Sequence, residues 1–530
     1  MLLLALLVSG VVAQTFPCAA RRFALPYSAS SQVGTDFAAT SGGVVMGFSN
    51  NTAVYNVLIP PTGSPFAPPP AVLVGWRSDP TSTDDALGFA WSPSGDRIFW
   101  SDVEVGRSPR TRLFVSSTAA PGPAAPTLFS HAAPATGAAY VASLVTTGTL
   151  GSTSYVLFTA NAALSCVTHL FSSAYRSGAS PIVPVQLSSP FAPACSGPTF
   201  AFSRVLLVGT TVVLVDPSSL PNRLYRVNLD GTGGGYLQTP AHTGMRISDL
   251  QSVPGNSVLF TGSVALGLTQ NLFTSPLDGG AFTNVTNYGW GAEAGVRGTV
   301  SVVGSSVFFL EEQPDLSDKL VSAALAPAGA PTVSVVYGAR DVQQYVVTSD
   351  GSRAVVAERA TGDVTAVAVG SGAVTVLSTG ALVSQASLRM APSSQHVIFT
   401  RDAGAGNAAL FAAPVNASAA ALRLGGAEFL NAPSGVVFTP DSRRAVFWTS
   451  PSRLLVSASL SNATDQPTIA TGVAAEAVLT PFLNSYYALY ERADAASADV
   501  SGPWATCAMQ AAASALAVSA ALLILALSFF

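Results

Sequence analysis

The sequence predicts an all-β fold, a single large β-propeller. Three observations lead to this prediction. A hairpin-like motif recurs along the chain, its copies lie 41 to 58 residues apart, and no helical period appears in the same windows. Each copy is long enough for one four-stranded propeller blade.

The recurring motif has an apolar triplet, a tight turn and a second apolar run. Its clearest copy is FAWSPSGDRIFWS, and the other copies lie at residues 345–357, 388–400 and 437–449. Pro presets φ in such a turn, Asp or Ser bonds back to the backbone, and Gly accepts positive φ. Apolar residues on both sides are typical of strands, so each copy predicts a β-hairpin. Arg97, Arg353 and Arg443 follow the turn at its solvent end.

A second short strand follows each hairpin, and the clearest examples are residues 112–116, 223–231, 271–279 and 454–460. The centres of the apolar runs are Val45, Ile98, Val156, Val213, Val258, Val307, Val355, Val397, Val446 and Tyr487. Their spacing is too long for leucine-rich or ankyrin repeats. Ten units are visible, and the first and last are partial. Strands from both termini that share one blade would give nine blades, and merging one poorly matching unit would give eight, which is favoured, with seven to ten open.

The segments SPSGDRIFW, TPDSRRAVFW, RLYRVNLDG and NLFTSPLDGG resemble blade motifs of TolB-type propellers and of the propellers in the dipeptidyl peptidase group. The resemblance covers about residues 35–492 and implies a fold. Those peptidases carry their catalytic serine in a separate hydrolase domain, whose nucleophile elbow reads G-x-S-x-G. This sequence contains no G-x-S-x-G, so the resemblance implies the propeller alone.

The two ends of the chain predict a secreted, membrane-attached protein. Residues 1–13 (MLLLALLVSGVVA) are typical of a signal peptide cut after Ala13. Residues 14–34 form a lead-in, 35–492 the propeller and 493–510 a spacer. The apolar tail 511–530 is long enough to span a bilayer, yet no Lys or Arg follows it. We therefore predict a GPI signal with attachment at Ser497 and location on the outer face of the plasma membrane, with a C-terminal transmembrane helix as the alternative.

Four cysteines are expected to pair in an oxidising compartment. Cys166 and Cys195 are close in sequence and are the predicted disulfide, which would stabilise the fold by about 3 kcal/mol. A cut at Ser497 would remove Cys507 and leave Cys18 without a partner inside the chain. A Cys18–Cys507 bond would instead require that the tail stay attached, so the anchor and this pairing are linked.

The amino-acid composition limits the classes of partner that the sequence predicts. Only 10% of the residues are charged, the net charge is −4 and there is no basic block, so nucleic acid is not a predicted partner. N-glycosylation is predicted at four sequons, Asn50, Asn284, Asn416 and Asn462.

The sequence offers little catalytic chemistry. Its histidines lie far apart, without metal-ligand spacing, at His131, His169, His242 and His396. Glu311 and Glu312 could bind an amine together, but two charges that end a strand are the simpler interpretation. The glycine run 231–235 has no helix behind it and is no phosphate loop. We predict no catalytic residue, no metal and no cofactor.

The predicted function is a cell-surface binding or adhesion module for an extracellular protein or glycan. The alternative is an extracellular enzyme of the glycan lyase, hydrolase or lactonase type, with its site in the propeller funnel. A structural coat component is a third possibility. Three or more His, Asp, Glu or Arg side chains converging at one mouth of the axis would favour the enzyme.

Overall fold

The structure, a computed structural model, is all-β in the part of the chain that it describes. That part is continuous over residues 205–216, 222–240, 245–264, 269–289, 295–325, 332–380, 388–404 and 407–426, and elsewhere it consists of shorter stretches around the remaining strands.

The described strands form seven separate four-stranded antiparallel sheets, a nine-stranded sheet and a three-stranded sheet. The nine-stranded sheet contains two further four-stranded units, joined by one bridging strand. The nine four-stranded units are the blades of a β-propeller, numbered here in chain order.

The N-terminal strand β1 (Arg21–Arg22) belongs to the three-stranded sheet. Blades 1 and 2 contain β2 (Gln32–Thr40), β3 (Gly43–Asn50), β4 (Ala53–Ile59), β5 (Val72–Trp76), β6 (Phe89–Trp91), β7 (Arg97–Val103), β8 (Thr111–Ser117) and β9 (Thr127–Leu128). Blades 3 and 4 contain β10 (Tyr140–Leu150), β11 (Thr153–Asn161), β12 (Thr168–Tyr175), β13 (Val185–Gln186), β14 (Val205–Val208), β15 (Thr211–Asp216), β16 (Arg223–Asn228) and β17 (Gly235–Tyr236).

Blades 5 and 6 contain β18 (Met245–Val253), β19 (Ser257–Val264), β20 (Thr269–Pro276), β21 (Thr283–Asn284), β22 (Gly295–Val303), β23 (Ser306–Glu312), β24 (Asp318–Ala324) and β25 (Val333–Tyr337). Blades 7 and 8 contain β26 (Val342–Val347), β27 (Arg353–Glu358), β28 (Val364–Ala368), β29 (Val374–Ser378), β30 (Arg389–Met390), β31 (His396–Asp402), β32 (Ala408–Pro414) and β33 (Leu422–Leu424). The remaining strands are the bridging strand β34 (Phe429–Leu430), then β35 (Val437–Phe438), β36 (Arg444–Ser450), β37 (Leu455–Ser459) and β38 (Thr468–Ala470) of blade 9, and finally β39 (Leu489–Glu491) and β40 (Pro503–Ala505).

The predicted repeat is confirmed. Nine of the ten predicted run centres, Val45 to Val446, lie on the second strand of a blade, and Tyr487 lies outside the described residues. The nine blades of the described part lie within the predicted range of seven to ten and exceed the favoured count by one. The reason is that no weak unit merges with a neighbour: each of the nine units has four strands of its own, and strands from both termini form a separate three-stranded sheet.

The motif turns share one hydrogen-bond pattern. The amide of the fourth turn residue donates to the carbonyl of the first, and the fourth residue has positive φ in all four copies: Gly95, Gly351, Ser394 and Ser442. The strand that follows begins at Arg97, Arg353, His396 and Arg444 respectively. The sequence pattern had placed Arg443 at this position, but the turn geometry shows that Arg444 is the equivalent of Arg97 and Arg353.

Blades pack against each other through apolar faces. On β11, Val156 and Phe158 lie in a cluster with blade 2, whereas Leu157 between them lies in a cluster with blade 4. Successive side chains of a strand point to opposite faces. Because a blade is covered on both faces, its second strand carries a continuous apolar run rather than a strict alternation.

Candidate functional site

The two ends of the blades differ in the connections they carry. We call the end with the turns between first and second strands, and between third and fourth strands, the turn face. These two turns are bonded together, for example from the Leu277 amide to the Asn256 carbonyl and from the Val369 amide to the Ser352 carbonyl. The opposite end, with the links between second and third strands and between blades, is the loop face.

Polar side chains on the turn face bond mainly within their own turns. Asp230, Asp278 and Asp350 each accept a backbone N–H from the residue two positions on, at 2.9, 2.9 and 3.0 Å. Hydrogen bonds from Thr348 and Ser352 lower the pKa of Asp350 to about 2. Acceptors used in this way stabilise their own turns.

Charged side chains from two blades meet on the loop face. We call this cluster the charged groove, and it consists of Arg297, Glu312 and Asp318 of blade 6, Arg340 and Asp341 of the link to blade 7, and Glu358, Arg359 and Asp363 of blade 7. In a chain with only 10% charged residues this concentration is notable, and it lies between the ends of neighbouring blades.

Strand register explains the blade 6 side of the groove. Arg297 lies opposite Leu310, and Glu312 lies opposite Asp318. Leu310 packs in the apolar cluster shared with blade 7. Because alternate residues of a strand share a face, Arg297, Glu312 and Asp318 form a polar row on the same side. Arg297 Nη1 lies 3.4 Å from Glu312 and 3.6 Å from Asp318.

Asp318 is the buried centre of the groove, with 1% of its side chain exposed. Arg359 Nη2 donates to its carboxylate at 3.0 Å, and Arg359 Nε lies 2.8 Å from Asp341. The Asp341 carboxylate also accepts the Asp318 backbone N–H at 2.8 Å. Burial raises the pKa of Asp318, although Arg297 and Arg359 oppose this rise.

The second buried acid of the groove is Glu358. Arg340 Nη1 donates to it at 2.6 Å, Thr361 donates at 2.6 Å, and the Tyr337 hydroxyl also donates to it. Burial opposes its ionisation, but the hydrogen bonds from Thr361, Tyr337 and Arg340 outweigh burial, so the pKa of Glu358 is lowered. Arg340 continues to Asp363 at 3.2 Å. The groove is thus a preorganised set of ion pairs with three half-exposed arginines.

Glu311 and Glu312 do not form a paired carboxylate site. They are consecutive residues of β23 and point to opposite faces of the blade. Glu312 faces Arg297, whereas Glu311 accepts a hydrogen bond from Gln313 at 2.9 Å. The interpretation of two charges that end a strand is therefore correct.

The histidines that the structure describes are far apart. His169 lies near the loop-face end of β12, is buried and contacts Ser188 and Gln186 at 3.2 and 3.0 Å. His396 begins β31 at the turn face. Burial lowers the pKa of both. His131 and His242 lie outside the described residues.

The glycine run 231–235 has a packing role. It connects β16 to β17 on the turn face, and a Cβ on Gly234 would lie 2.1 Å from the Tyr225 hydroxyl. Gly231 and Gly233 have positive φ. The run therefore forms a tight turn against an aromatic ring.

Two predicted glycosylation sites lie on exposed turns. Asn416 and Asn462 follow the third strands of blades 8 and 9 on the turn face, and each accepts a backbone N–H two residues on, at 3.0 and 3.1 Å. Asn284 is half-buried on β21, and Thr286 of its sequon is buried. Asn50 ends β3.

The other predicted site residues, Cys166, Cys195 and Ser497, lie outside the described residues, as do Cys18 and Cys507. Within the described ranges, no group of three His, Cys, Asp or Glu side chains is arranged to hold a metal ion. No helix there has the length and hydropathy that a membrane span requires.

The comparisons with known proteins are distant. No protein-family model matches the sequence, and no curated protein matches it. The chain is similar to the crystal structure of the tricorn protease, with 10% identity over 88% of this chain and 55% of that chain and a TM-score of 0.30. It is also similar to a eukaryotic initiation factor, with 8% identity over 76% and 90% of the two chains and a TM-score of 0.44.

A third similar structure is oligopeptidase B from Leishmania major, with 13% identity over 69% of this chain and 53% of that chain and a TM-score of 0.36. The chain thus spans about half the length of both peptidases. We carry over no activity from these structures, and the assignment of a propeller stands on the nine blades themselves.

Sequence reasoning missed the charged groove. Its members lie between residues 297 and 363, and no motif links them. The one available signal was local charge density, because the segment 311–319 holds Glu311, Glu312, Asp315, Asp318 and Lys319 in an otherwise charge-poor chain.

Proposed function

We propose that this chain is an extracellular β-propeller, attached at the outer face of the plasma membrane, which binds an extracellular protein or glycan through its loop face. The observation that carries the proposal is the charged groove. Its arginines are held in place by carboxylates while 47% to 50% of each side chain stays exposed.

The free edges of these arginines define the chemistry of the partner. Arg297 and Arg340 both reach their acidic partners through Nη1. A guanidinium has five donors in a rigid fork, so Nε and Nη2 remain to bind a carboxylate or a pair of hydroxyls. Because the carboxylates behind them already fix the side chains, binding costs less conformational entropy. A glycan or an acidic loop of a protein presents suitable acceptors.

The contrast with the turn face supports the same choice of surface. Its carboxylates and amides accept backbone N–H groups of their own turns. Two predicted sequons, Asn416 and Asn462, lie on the turn face, whereas Asn50 at the end of β3 and Asn284 at the end of β21 lie at the loop-face ends of blades 1 and 5, outside the charged groove.

The experiment displays the full chain on cells and measures binding of labelled glycans and of soluble cell-surface proteins. The double variant Arg297→Gln, Arg340→Gln is expected to bind the selected probe at least about tenfold more weakly, the loss of two charge-assisted contacts. The control is Arg423→Gln, the same change on β33 of blade 8, which should bind as wild type does. Equal binding by all three proteins would contradict the proposal.

The cellular address is tested separately. Surface biotinylation should label the intact chain, and a phosphatidylinositol-specific phospholipase distinguishes the two attachments. Release would support a lipid at Ser497, and retention would support the apolar tail. Recovery of the protein only from the cytosol would contradict the proposed address.

An enzyme with its site in the funnel remains the second candidate, because the charged groove does bring several acids and arginines to one end of the blades. Against it, the groove runs outward between blades 6 and 7, and of its members only Arg297 lies on an innermost strand. Turnover of a glycan or lactone that the Arg297→Gln, Arg340→Gln variant abolishes would favour the enzyme.

A further inference from the structure

Each arginine of the charged groove contacts two carboxylates, at distances between 2.6 and 3.6 Å. The contacts are Arg297 with Glu312 and Asp318, Arg340 with Glu358 and Asp363, and Arg359 with Asp318 and Asp341. The single positive charge of each guanidinium is therefore compensated within the protein. A further carboxylate or sulfate placed beside it would be attracted by one group and repelled by two.

The groove as a whole carries a net negative charge. It holds three arginines against five carboxylates, which gives −2. Glu311 and Lys319, which lie opposite each other on β23 and β24, would add one charge of each sign. Burial raises the pKa of Asp318, and its protonation would leave three positive charges against four negative ones. An anionic ligand is therefore disfavoured in either protonation state of Asp318.

A cationic ligand is disfavoured for a different reason, which is the order of the charges from the surface inward. The arginine side chains are 47% to 50% exposed, whereas those of the five carboxylates are only 1% to 30% exposed. A lysine or arginine of a partner would therefore meet the guanidinium groups before it reached a carboxylate. The outer arginines oppose a cation, and the inner carboxylates oppose an anion.

Hydrogen-bonding groups of both kinds remain side by side in the groove. Among the described residues, Arg297 and Arg340 reach their partners through Nη1, and Arg359 through Nε and Nη2, so each keeps N–H groups that can donate. Glu312 meets Arg297 through Oε1 and keeps Oε2 as an acceptor. A carboxylate or sulfate can only accept and an ammonium can only donate, but a hydroxyl does both. Neighbouring hydroxyls therefore match this surface.

We infer that the charged groove binds an uncharged glycan, whose ring hydroxyls accept from the free arginine N–H groups and donate to Glu312. The inference rests on the proposed function, because it names the class of ligand for the same groove. It decides between the two classes that the arginine edges by themselves allow, a glycan and an acidic loop of a protein. The arginines act as fixed hydrogen-bond donors, and the carboxylates behind them keep the loss of conformational entropy on binding small.

The test compares neutral polysaccharides with their own sulfated forms. The full chain displayed on cells is titrated with fluorescent dextran, mannan, galactan and xylan, and with the sulfated derivative of each. At least one neutral polysaccharide should bind, about tenfold or more tightly than its sulfated form. Its Kd should change less than about twofold between about 0.05 and 0.5 M NaCl, because salt screens interactions between net charges most strongly.

The outcomes separate this inference from the proposed function. Tighter binding of the sulfated forms, binding of none of the neutral forms, or a Kd that rises about tenfold with salt would each overturn the inference. An acidic extracellular protein that binds instead, and that the Arg297→Gln, Arg340→Gln variant no longer binds, would overturn the inference and leave the proposed function standing. A displayed chain that binds neither polysaccharides nor proteins would contradict the proposed function itself.

A second measurement removes the excess of carboxylates. The double variant Glu312→Gln, Asp341→Asn would leave three arginines against three carboxylates in the groove. Each new amide keeps an oxygen that can accept from the neighbouring arginine. Sulfated dextran should then bind at least about tenfold more tightly than it binds the wild type, because the repulsion of the anion is removed.

The matched control is Asp230→Asn, Asp278→Asn, which removes two carboxylates from the turn face. It changes the net charge of the protein by the same amount and should alter the binding of sulfated dextran less than about twofold. The Tm of both variants shows that they are folded. Unchanged binding by the groove variant, or equal gains in the two variants, would show that the charge of the groove does not select the ligand.

Discussion

The turn face and the charged groove of the loop face use the same residue types in different ways. On the turn face, Asp230 and Asp350 bond to backbone N–H groups two residues on. On the loop face, Arg359 reaches Asp318, 41 residues away, and Arg340 reaches Glu358, 18 residues away. Local bonds define each turn, whereas long-range ion pairs join two blades and leave arginine edges exposed. The comparison shows which polar groups bond within one turn and which join two blades.

The largest effect is expected at a turn-face ion pair that departs from this pattern. Arg444 lies at the turn face, is 7% exposed, and reaches Asp465 at 2.5 and 3.0 Å and Ser457 at 2.7 Å. Arg444→Ala should lower the free energy of unfolding by about 2–4 kcal/mol, because it removes a buried guanidinium and leaves the buried Ser457 and the half-exposed Asp465 without their donor. Urea denaturation measures the change. The control is Arg443→Ala at the exposed neighbour, expected within about 0.5 kcal/mol of wild type, and equal losses would show that the two arginines are equivalent.

A smaller loss is expected inside the charged groove. Glu358→Gln should destabilise by about 1–3 kcal/mol, since the buried carboxylate accepts from Tyr337, Thr361 and Arg340. Its matched control is Glu312→Gln, where the pair with Arg297 is longer and 30% of the Glu312 side chain is exposed. That change should cost at most about 1 kcal/mol. A larger loss at Glu312 than at Glu358 would reverse the proposed ranking of the two sides of the groove.

Acid should reduce the stability that carboxylates contribute on both faces. The pKa of Asp350 and that of Glu358 are lowered in the folded protein. Their stabilising contribution is therefore present above the unfolded pKa values, near 4, and is lost as the pH falls toward the folded values, about 2 for Asp350. Tm measured between pH 6 and pH 2 should fall less steeply for Asp350→Asn than for wild type. Parallel curves of Tm against pH for the two proteins would mean that the Asp350 carboxylate does not contribute to the loss of stability in acid.

The smallest effect concerns the shape of one turn. Gly351 has φ +70, and a Cβ there would lie 3.4 Å from Val303. Gly351→Ala should cost about 1 kcal/mol, the strain of a left-handed residue with a side chain. Gly235→Ala is the control, because a Cβ at Gly235 meets no atom within 4 Å and its φ is not positive. Urea denaturation measures both variants. A difference of less than about 0.3 kcal/mol between them would show that the positive φ of Gly351 does not make alanine more costly there than at Gly235.

The fold was largely predictable because its signals are local. The hairpin motifs, their turn residues and their spacing located nine second strands, from Val45 to Val446. The blade count was harder, because strand sharing between the termini is a long-range property. One turn position was also misplaced: two arginines in a row, Arg443 and Arg444, allow two alignments, and only the bond from the Ser442 amide to the Thr439 carbonyl decides between them.

The candidate site was not predictable by the same means. Asp318 and Arg359 come together only because blades 6 and 7 stack, and their bond spans 41 residues. Conversely, Glu311 and Glu312 are neighbours in sequence but point to opposite faces of a blade. Proximity along the chain therefore misleads in a strand, whereas register across strands assembles the groove.

The motif turns of blades 7, 8 and 9 are also bonded to each other. The Ser349 amide donates to Ser394 Oγ, and the Ser393 amide donates to Ser442 Oγ, both at 2.8 Å. Three consecutive blades are thus linked in series along the turn face. A force that pulls the propeller open would load these bonds in tension, so rupture should start at a blade junction that lacks them.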